Sequence, residues 1–197
     1  MENQTSIDNK LNGLILVGGK SSRMGSNKAF LDFNGQPQVN FLASLLQPFC
    51  NDVFVGAKKG EEYPELNVIE DAYSFESPLN GILSAFHHSK NVAWLVVACD
   101  MPFIDSKSVS YLIENRATNK LATCYVNQLN EPEPLFCIWE SASWKHLLSY
   151  CNTGNYSPRK FLKENNVYQL PIIDTKTLTN INSKEDIERY NLTINTQ

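Results

Sequence analysis

Residues Ala93-Trp-Leu-Val-Val-Ala-Cys99 form an unbroken apolar run that ends on Asp100. A strand with one face in water alternates apolar and polar side chains. A run with no polar member needs cover on both faces, as in a central parallel strand between helical layers. Shorter runs take the same form: Leu14 to Val17, which stops at Gly18-Gly19, then Asp52 to Ala57, then Asn67 to Ile69 before Glu70-Asp71. Helical patterns lie between them. One starts near Gln38 and carries Phe41, Leu42, Leu45, Leu46 and Phe49 on one side; another starts at Pro78 and carries Ile82, Leu83 and Phe86. Strands alternating with helices predict an α/β chain: a doubly wound, mostly parallel sheet with helices on both faces, in one domain over residues 1–197.

Other elements follow from local signals. Residues 1–10 are polar and read as a frayed end. The alternating stretch Lys28 to Phe33 meets Asn34-Gly35 and predicts a hairpin. Ser106 is expected to cap a helix running to about Thr118. Strands are expected over Leu121–Val126, Pro134–Trp139 and Val167–Ile173, and helices over Ser141–Tyr150 and Pro158–Lys163, with a short last helix capped by Ser183. Trp94, Trp139 and Trp144 are expected in or against the core.

In such sheets ligands bind at the carboxyl ends of strands. Gly18, Asp71 and Asp100 all fall there, so one rim gathers a loop and two carboxylates. The loop carries Lys20, Arg23 and Lys28 and no acid, in a chain of net charge −4. Glycine amides form an anion nest, and Arg and Lys add charge to the same anion, so the ligand expected is a polyphosphate. The spacing is neither a Walker loop nor a dinucleotide fingerprint. Five residues separate Gly19 from Gly25, Ser26 follows, and no G-x-G-x-x-G occurs. Asp100 itself has two uses open to it, as a cap of the following turn or as a ligand of a hard divalent cation such as Mg²⁺.

The stretch Gly18-Gly19-x(3)-Arg23-Met24-Gly25-x(2)-Lys28 resembles the start of nucleotidyltransferases, most closely the molybdenum cofactor guanylyltransferases. Cys99-Asp100-Met101-Pro102 resembles that family's Cys-Asp-x-Pro metal site, which implies Mg²⁺ on Asp100. Val68 to Asp71 resembles the segment whose aspartate contacts the nucleotide, and Pro78-Leu79-Asn80-Gly81 a Gly-Pro-Leu-x-Gly stretch used for close backbone approach, with Ser77 in place of the first glycine. Gly56 stands where the family often has a base-binding asparagine. Asn180-Ile181-Asn182 resembles an Asn-x-Asn element that orients phosphate or metal-bound water, and a turn before the Ser183 cap is the other reading. Arg159 matches an Arg-x-Phe segment near the acceptor, where it would grip a phosphate or stand as surface charge; Glu131 to Leu135 matches a position that is often basic.

The resemblance implies transfer of GMP from GTP to the terminal phosphate of molybdenum-molybdopterin, with pyrophosphate released. It also implies transient contact with molybdopterin-delivering proteins. Arg23, Lys28 and Asp100 would be catalytic, and Leu16, Val17, Gly18, Gly19, Lys28, Asp71 and Asp100 would bind nucleotide. Arg159, Asn180 and Asn182 would face the acceptor. A related enzyme using CTP or another acceptor phosphate, and a nucleotide-binding protein without turnover, are the alternatives. An acceptor phosphate is already anionic near neutral pH, which explains why no obvious general base stands out.

The remaining composition narrows the classes. A pI near 5.4 argues against a broad nucleic-acid-binding face. The N-terminal residues lack a signal-peptide pattern and the longest apolar run is too short to span a bilayer, so no membrane contact is expected. Five dispersed cysteines without a C-x-x-C pair are expected to be reduced thiols of a cytoplasmic protein. His87, His88 and His146 have no ligand spacing and are expected on helix surfaces.

Overall fold

The apolar runs pair into one sheet. The structure is a computed structural model and describes residues 10–17 and 28–190, without the side chains of Lys28 and Lys184. Its strands are β1 (Leu11–Leu16), β2 (Val53–Ala57), β3 (Asn67–Glu70), β4 (Ala93–Ala98), β5 (Ala122–Val126), β6 (Pro132–Trp139) and β7 (Tyr168–Pro171). They lie in the order β3-β2-β1-β4-β6-β5-β7. β1 pairs in parallel with both β2 and β4, and β2 with β3. β6 alone reverses, running antiparallel to β4 and β5, while β5 and β7 are parallel.

Two helical layers cover the sheet, as the apolar run at β4 requires. The helices are α1 (Gln38–Leu46), α2 (Pro78–His88), α3 (Ser106–Glu114), α4 (Ser143–Asn152), α5 (Pro158–Glu164) and α6 (Lys184–Arg189). Side chains alternate along each strand. Ile15, Leu95 and Val97 pack with α1 residues Val39, Leu42 and Leu46 and α3 residues Val109 and Leu112. Leu14, Trp94 and Val96 pack with Ile82, Leu83 and Phe86 of α2, Leu147 of α4 and Phe161 of α5. Trp94 and Trp139 are fully buried and Trp144 packs against the second layer. Among the described residues no helix is long and apolar enough to cross a membrane. All five cysteines are free thiols, and His87, His88 and His146 are exposed.

Several local expectations change. The hairpin predicted at Asn34-Gly35 is instead a 3-10 turn over Lys28–Phe30 and an isolated bridge between Asp32 and Pro37. Gly35 does take the left-handed turn conformation (φ 83°), but Pro37 lacks an N–H and opens α1, so no second strand forms. The cap of α3 is Asp105, one residue before Ser106. Its carboxylate accepts the Ser108 N–H at 2.8 Å, while Ser108 Oγ accepts the Asp105 N–H at 3.2 Å. α3 stops at Glu114, not Thr118, because the Asn115 side chain caps the Tyr111 carbonyl and the Ala117 N–H turns to Thr123 Oγ1. Ser183 caps α6 in a capping box with Asp186, as expected. The frayed end expected over residues 1–10 lies, apart from Lys10, outside the described residues.

Candidate active site

The strand order reverses direction at β1: β2 and β3 lie on one side and β4 on the other. This is the topological switch point at which open α/β sheets bind ligands. Past the end of β1 the backbone stays tied to both neighbours. The Leu16 carbonyl accepts the Cys99 N–H at 3.1 Å, and the Val17 N–H donates to the Gly56 carbonyl at 3.4 Å. A cleft of about 730 Å³ opens over these strand ends. Leu16, Val17, Asp71 and Asp100 all line it, so four of the predicted nucleotide-binding residues meet in one place.

Two glycines keep the floor of the cleft flat. A Cβ at residue 81 would lie 2.5 Å from Leu16 Cδ2, and one at residue 56 would lie 3.0 Å from the same atom. Leu16 therefore lies against backbone on both sides. Gly81 packs directly on the Leu16 side chain, and Gly56 has a packing reason to carry no side chain. The Ser77 departure also has a cause. Ser77 caps α2 by accepting the Leu79 N–H at 3.1 Å, and its hydroxyl donates to the Tyr156 carbonyl at 2.5 Å.

Asp71 is set by a hydrogen bond from its N–H to the Ala57 carbonyl at 2.9 Å. Burial lifts its carboxyl above the ordinary range; Lys58 opposes that rise and Glu61 adds to it. The loop after it is held from α2. Buried Asn80 accepts the Tyr73 N–H at 3.1 Å and donates to the Tyr73 and Phe75 carbonyls at 2.7 and 3.2 Å, while Ser84 Oγ accepts the Ala72 N–H at 2.8 Å. These four bonds fix the wall of the cleft. Sequence reasoning missed Asn80 and Ser84 as staples, because the contacts join a helix to a loop with no pattern of its own. It also missed Lys58 and Lys59, which line the cleft just past β2; two cations directly after a strand were a readable signal.

Asp100 follows β4, and its carbonyl accepts the Ile181 N–H at 2.7 Å. That bond carries Asn182 into the lining of the cleft, whereas Asn180 is exposed and not part of the lining. Asp100 Oδ1 is enclosed by protein. Among the described residues no three His, Cys, Asp or Glu side chains converge on one point. The available donors along the rim are oxygens, from Asp100, Asp71 and Asn182. A hard cation that takes one or two carboxylates and completes its shell with phosphate and water fits this set, and that is the habit of Mg²⁺. Cys99, one residue earlier, is no nucleophile: burial pushes its thiol far up.

Arg159 does not line the cleft directly. Its Nε donates to the Pro132 carbonyl at 3.1 Å and Nη2 to Glu133 Oε2 at 3.3 Å. Glu133 is buried, and burial raises its carboxyl pKa against the pull of the Leu135 N–H and Arg159. Gly18, Gly19, Arg23 and the side chain of Lys28 lie outside the described residues.

Comparison with known proteins agrees with this geometry. Residues 13–169 match the MobA-like NTP transferase domain. A molybdenum cofactor biosynthesis bifunctional protein of Synechocystis is 33% identical over 186 residues, 92% of this chain and 54% of the relative. The molybdenum cofactor guanylyltransferase of Pseudomonas fluorescens SBW25 is 30% identical over 178 residues, 87% of this chain and 89% of the relative. The chain spans about half the length of the first curated relatives it matches. Molybdopterin-guanine dinucleotide biosynthesis protein A of Archaeoglobus fulgidus shares the fold, with a TM-score of 0.75 at 22% identity over 90% of this chain and 95% of that one.

Proposed function

The chain belongs to the MobA-like NTP transferase family, and on that premise we propose that it moves GMP from GTP to the terminal phosphate of molybdenum-molybdopterin, with loss of pyrophosphate. The observation that carries the reading is the convergence of Leu16, Val17, Asp71 and Asp100 on one cleft at the switch point of the sheet. Relatives named as molybdenum cofactor guanylyltransferases over most of this chain support it.

In this reading an oxygen of the acceptor phosphate attacks the α-phosphorus of GTP. One P–O bond forms, the bond to the β-phosphate oxygen breaks, and the electron pair leaves with pyrophosphate. The nucleophile is already an anion, so the protein need not remove a proton. Its tasks are alignment and charge neutralisation. The flat floor of Leu16 between Gly56 and Gly81 lets the nucleoside lie close to backbone. Asp71, Lys58 and Lys59 face it from the β2–β3 side. Gly18, Gly19, Arg23 and Lys28 would hold the triphosphate. Asp100 would hold Mg²⁺, which when bound neutralises phosphate charge. Acceptor contacts fall to Arg159 and Asn182, and Asn180 lies outside the lining of the cleft. The resemblance to the guanylyltransferases supports transient contact with a molybdopterin-delivering protein, and five free cysteines suit a cytoplasmic setting.

The test has two stages. A thermal-shift panel of GTP, CTP, ATP and UTP with Mg²⁺ should show the largest stabilisation by GTP, because a ligand of the native state raises Tm. Pyrophosphate release should then require both GTP and molybdopterin. Equal stabilisation by CTP would move the assignment to a cytidylyl donor; GTP binding without turnover would leave a nucleotide-binding protein.

A further inference from the structure

Glu133 stands in a stretch, Glu131-Pro-Glu-Pro-Leu135, whose acidity the proposed reaction does not use. It is only 7% exposed. A buried carboxylate costs stability unless it is well paired, and an apolar residue there would be cheaper for the fold alone. Its two oxygens are engaged in different ways. Oε1 accepts the Leu135 N–H at 3.0 Å, which anchors the carboxylate to β6; Oε2 accepts from Arg159 Nη2 at 3.3 Å. The position of β6 brings this pair to the site. β4 and β6 are antiparallel with Val97 opposite Phe136, and the same register continued past the ladder sets Glu133 level with Asp100. Leu135, two residues along, lines the cleft.

Arg159 enters from the first turn of α5. A guanidinium has five N–H donors in one plane. Among the described residues two of them are engaged, Nε with the Pro132 carbonyl and Nη2 with Glu133. Both engaged partners are on β6, so the plane and direction of the fork are fixed. The side chain is still 47% exposed. A fork fixed along one edge and open along another can take a planar or tetrahedral oxyanion with little further loss of entropy.

We infer that Glu133 is a positioning residue: it fixes Arg159 on β6 so that the remaining guanidinium donors receive the phosphate monoester of the acceptor on the Asp100 side of the cleft. The inference rests on the transferase reading for the acceptor's identity, but not for the phosphate. Glu133 itself touches no substrate. Its effect passes through Arg159, and the pair therefore acts on acceptor binding and leaves GTP binding alone.

Two measurements test it. The first needs no reaction. In ¹⁵N spectra the Arg159 Nε–H signal is assigned by its loss in Arg159→Lys, and the GTP-loaded protein is titrated with inorganic phosphate. The signal should move in the wild type and should need roughly tenfold more phosphate in Glu133→Gln. The second follows pyrophosphate release with molybdopterin. The acceptor KM should rise roughly tenfold in both Glu133→Gln and Arg159→Lys, with kcat and the GTP KM within about twofold, and the double variant should be no worse than the poorer single one, as coupled residues require. A merely structural role would lower Tm without dividing the two KM values. No phosphate response in the wild type, or additive effects in the double variant, overturns the inference. If Glu133→Gln does not fold, Arg159→Lys with an unchanged acceptor KM does the same. A phosphate response that depends on Glu133, in a protein that gives no pyrophosphate with molybdopterin, keeps the inference and removes the transferase reading.

Discussion

On its β1–β3 side the cleft is made of strand ends and backbone; beyond Leu135, which lines it, the β6–α5 side is tied by paired side chains. The first side places Val17, Asp71 and the Leu16 carbonyl by continuing parallel ladders, each tie a main-chain bond of 2.9 to 3.4 Å. The second depends on a strand that reverses, on Glu133 and Arg159 across 26 positions of sequence, and on Ser77 reaching Tyr156 across 79. Main-chain ladders tolerate many side chains, so the first geometry survives wide sequence change. The second can be retuned by one or two substitutions.

The largest effect should come where the two sides meet. Asp100→Asn keeps shape and much of the hydrogen bonding but removes the charge. Turnover should fall by at least roughly 100-fold, the scale of losing one strong electrostatic stabiliser. The ligand-free Tm should barely move, since Asn caps about as well as Asp. Apo melting curves and a Mg²⁺ titration with GTP separate the two roles; full turnover in the Asn variant would leave Asp100 as a cap.

Next come the loop cations. Lys28→Ala or Arg23→Ala removes charge-assisted phosphate contacts, and should cost about 2 kcal/mol of GTP binding, roughly thirtyfold. Stability should hardly change. Wild-type GTP affinity in either variant, by calorimetry, would break the assignment of the β1 side to the triphosphate.

What the sequence disclosed follows the same division. The run at 93–99 announced β4 and its two helical covers, because burial on both faces leaves no polar gap to misread. Asp71 and Asp100 were legible because strand ends are marked by where apolar runs stop. The reversal of β6 was not. Pro132 to Trp139 reads as a strand in either direction, and only pairing with β4 and β5 decides which. The Glu133–Arg159 pair was hidden for the same reason, since Arg159 alone looks like surface charge. Asn34-Gly35 misled because the turn signal was genuine while Pro37 removed the strand that should follow.

A smaller effect is expected at Asn80, which joins the two descriptions: a side chain that holds backbone. Asn80→Ala leaves the Tyr73 N–H and the Tyr73 and Phe75 carbonyls without their partner. The loss should be about 1.5 kcal/mol of stability, or about 3 to 6 °C in Tm for a chain of this size. If the cleft takes the nucleotide as proposed, GTP affinity should weaken with it, because the loop after Asp71 forms part of the wall of the cleft. An unchanged affinity would show that the wall does not need its staple.

The smallest effect should come from Ser77→Gly, and it separates the two sides most cleanly. Ser77 is the one departure in the stretch that approaches Leu16, and its hydroxyl spans from the cap of α2 to the turn before α5. Glycine caps a helix only a few tenths of a kcal/mol less well than serine. The rest of the cost is one partly exposed hydrogen bond to the Tyr156 carbonyl, worth about 0.5 to 1 kcal/mol. The stacking of Phe75 on Tyr156, with ring centres 4.6 Å apart, still holds the turn in place. Tm should therefore drop by about 1.5 to 5.5 °C. GTP affinity should not change, because Gly81 and Leu16 keep the floor flat without Ser77. Arg159 lies two residues past the Ser157 cap of α5, so a turn released from α2 should raise the acceptor KM slightly while the GTP KM stays put. Parallel changes in both KM values would mean that the floor and the acceptor edge move together, and the division drawn between the two sides would fail.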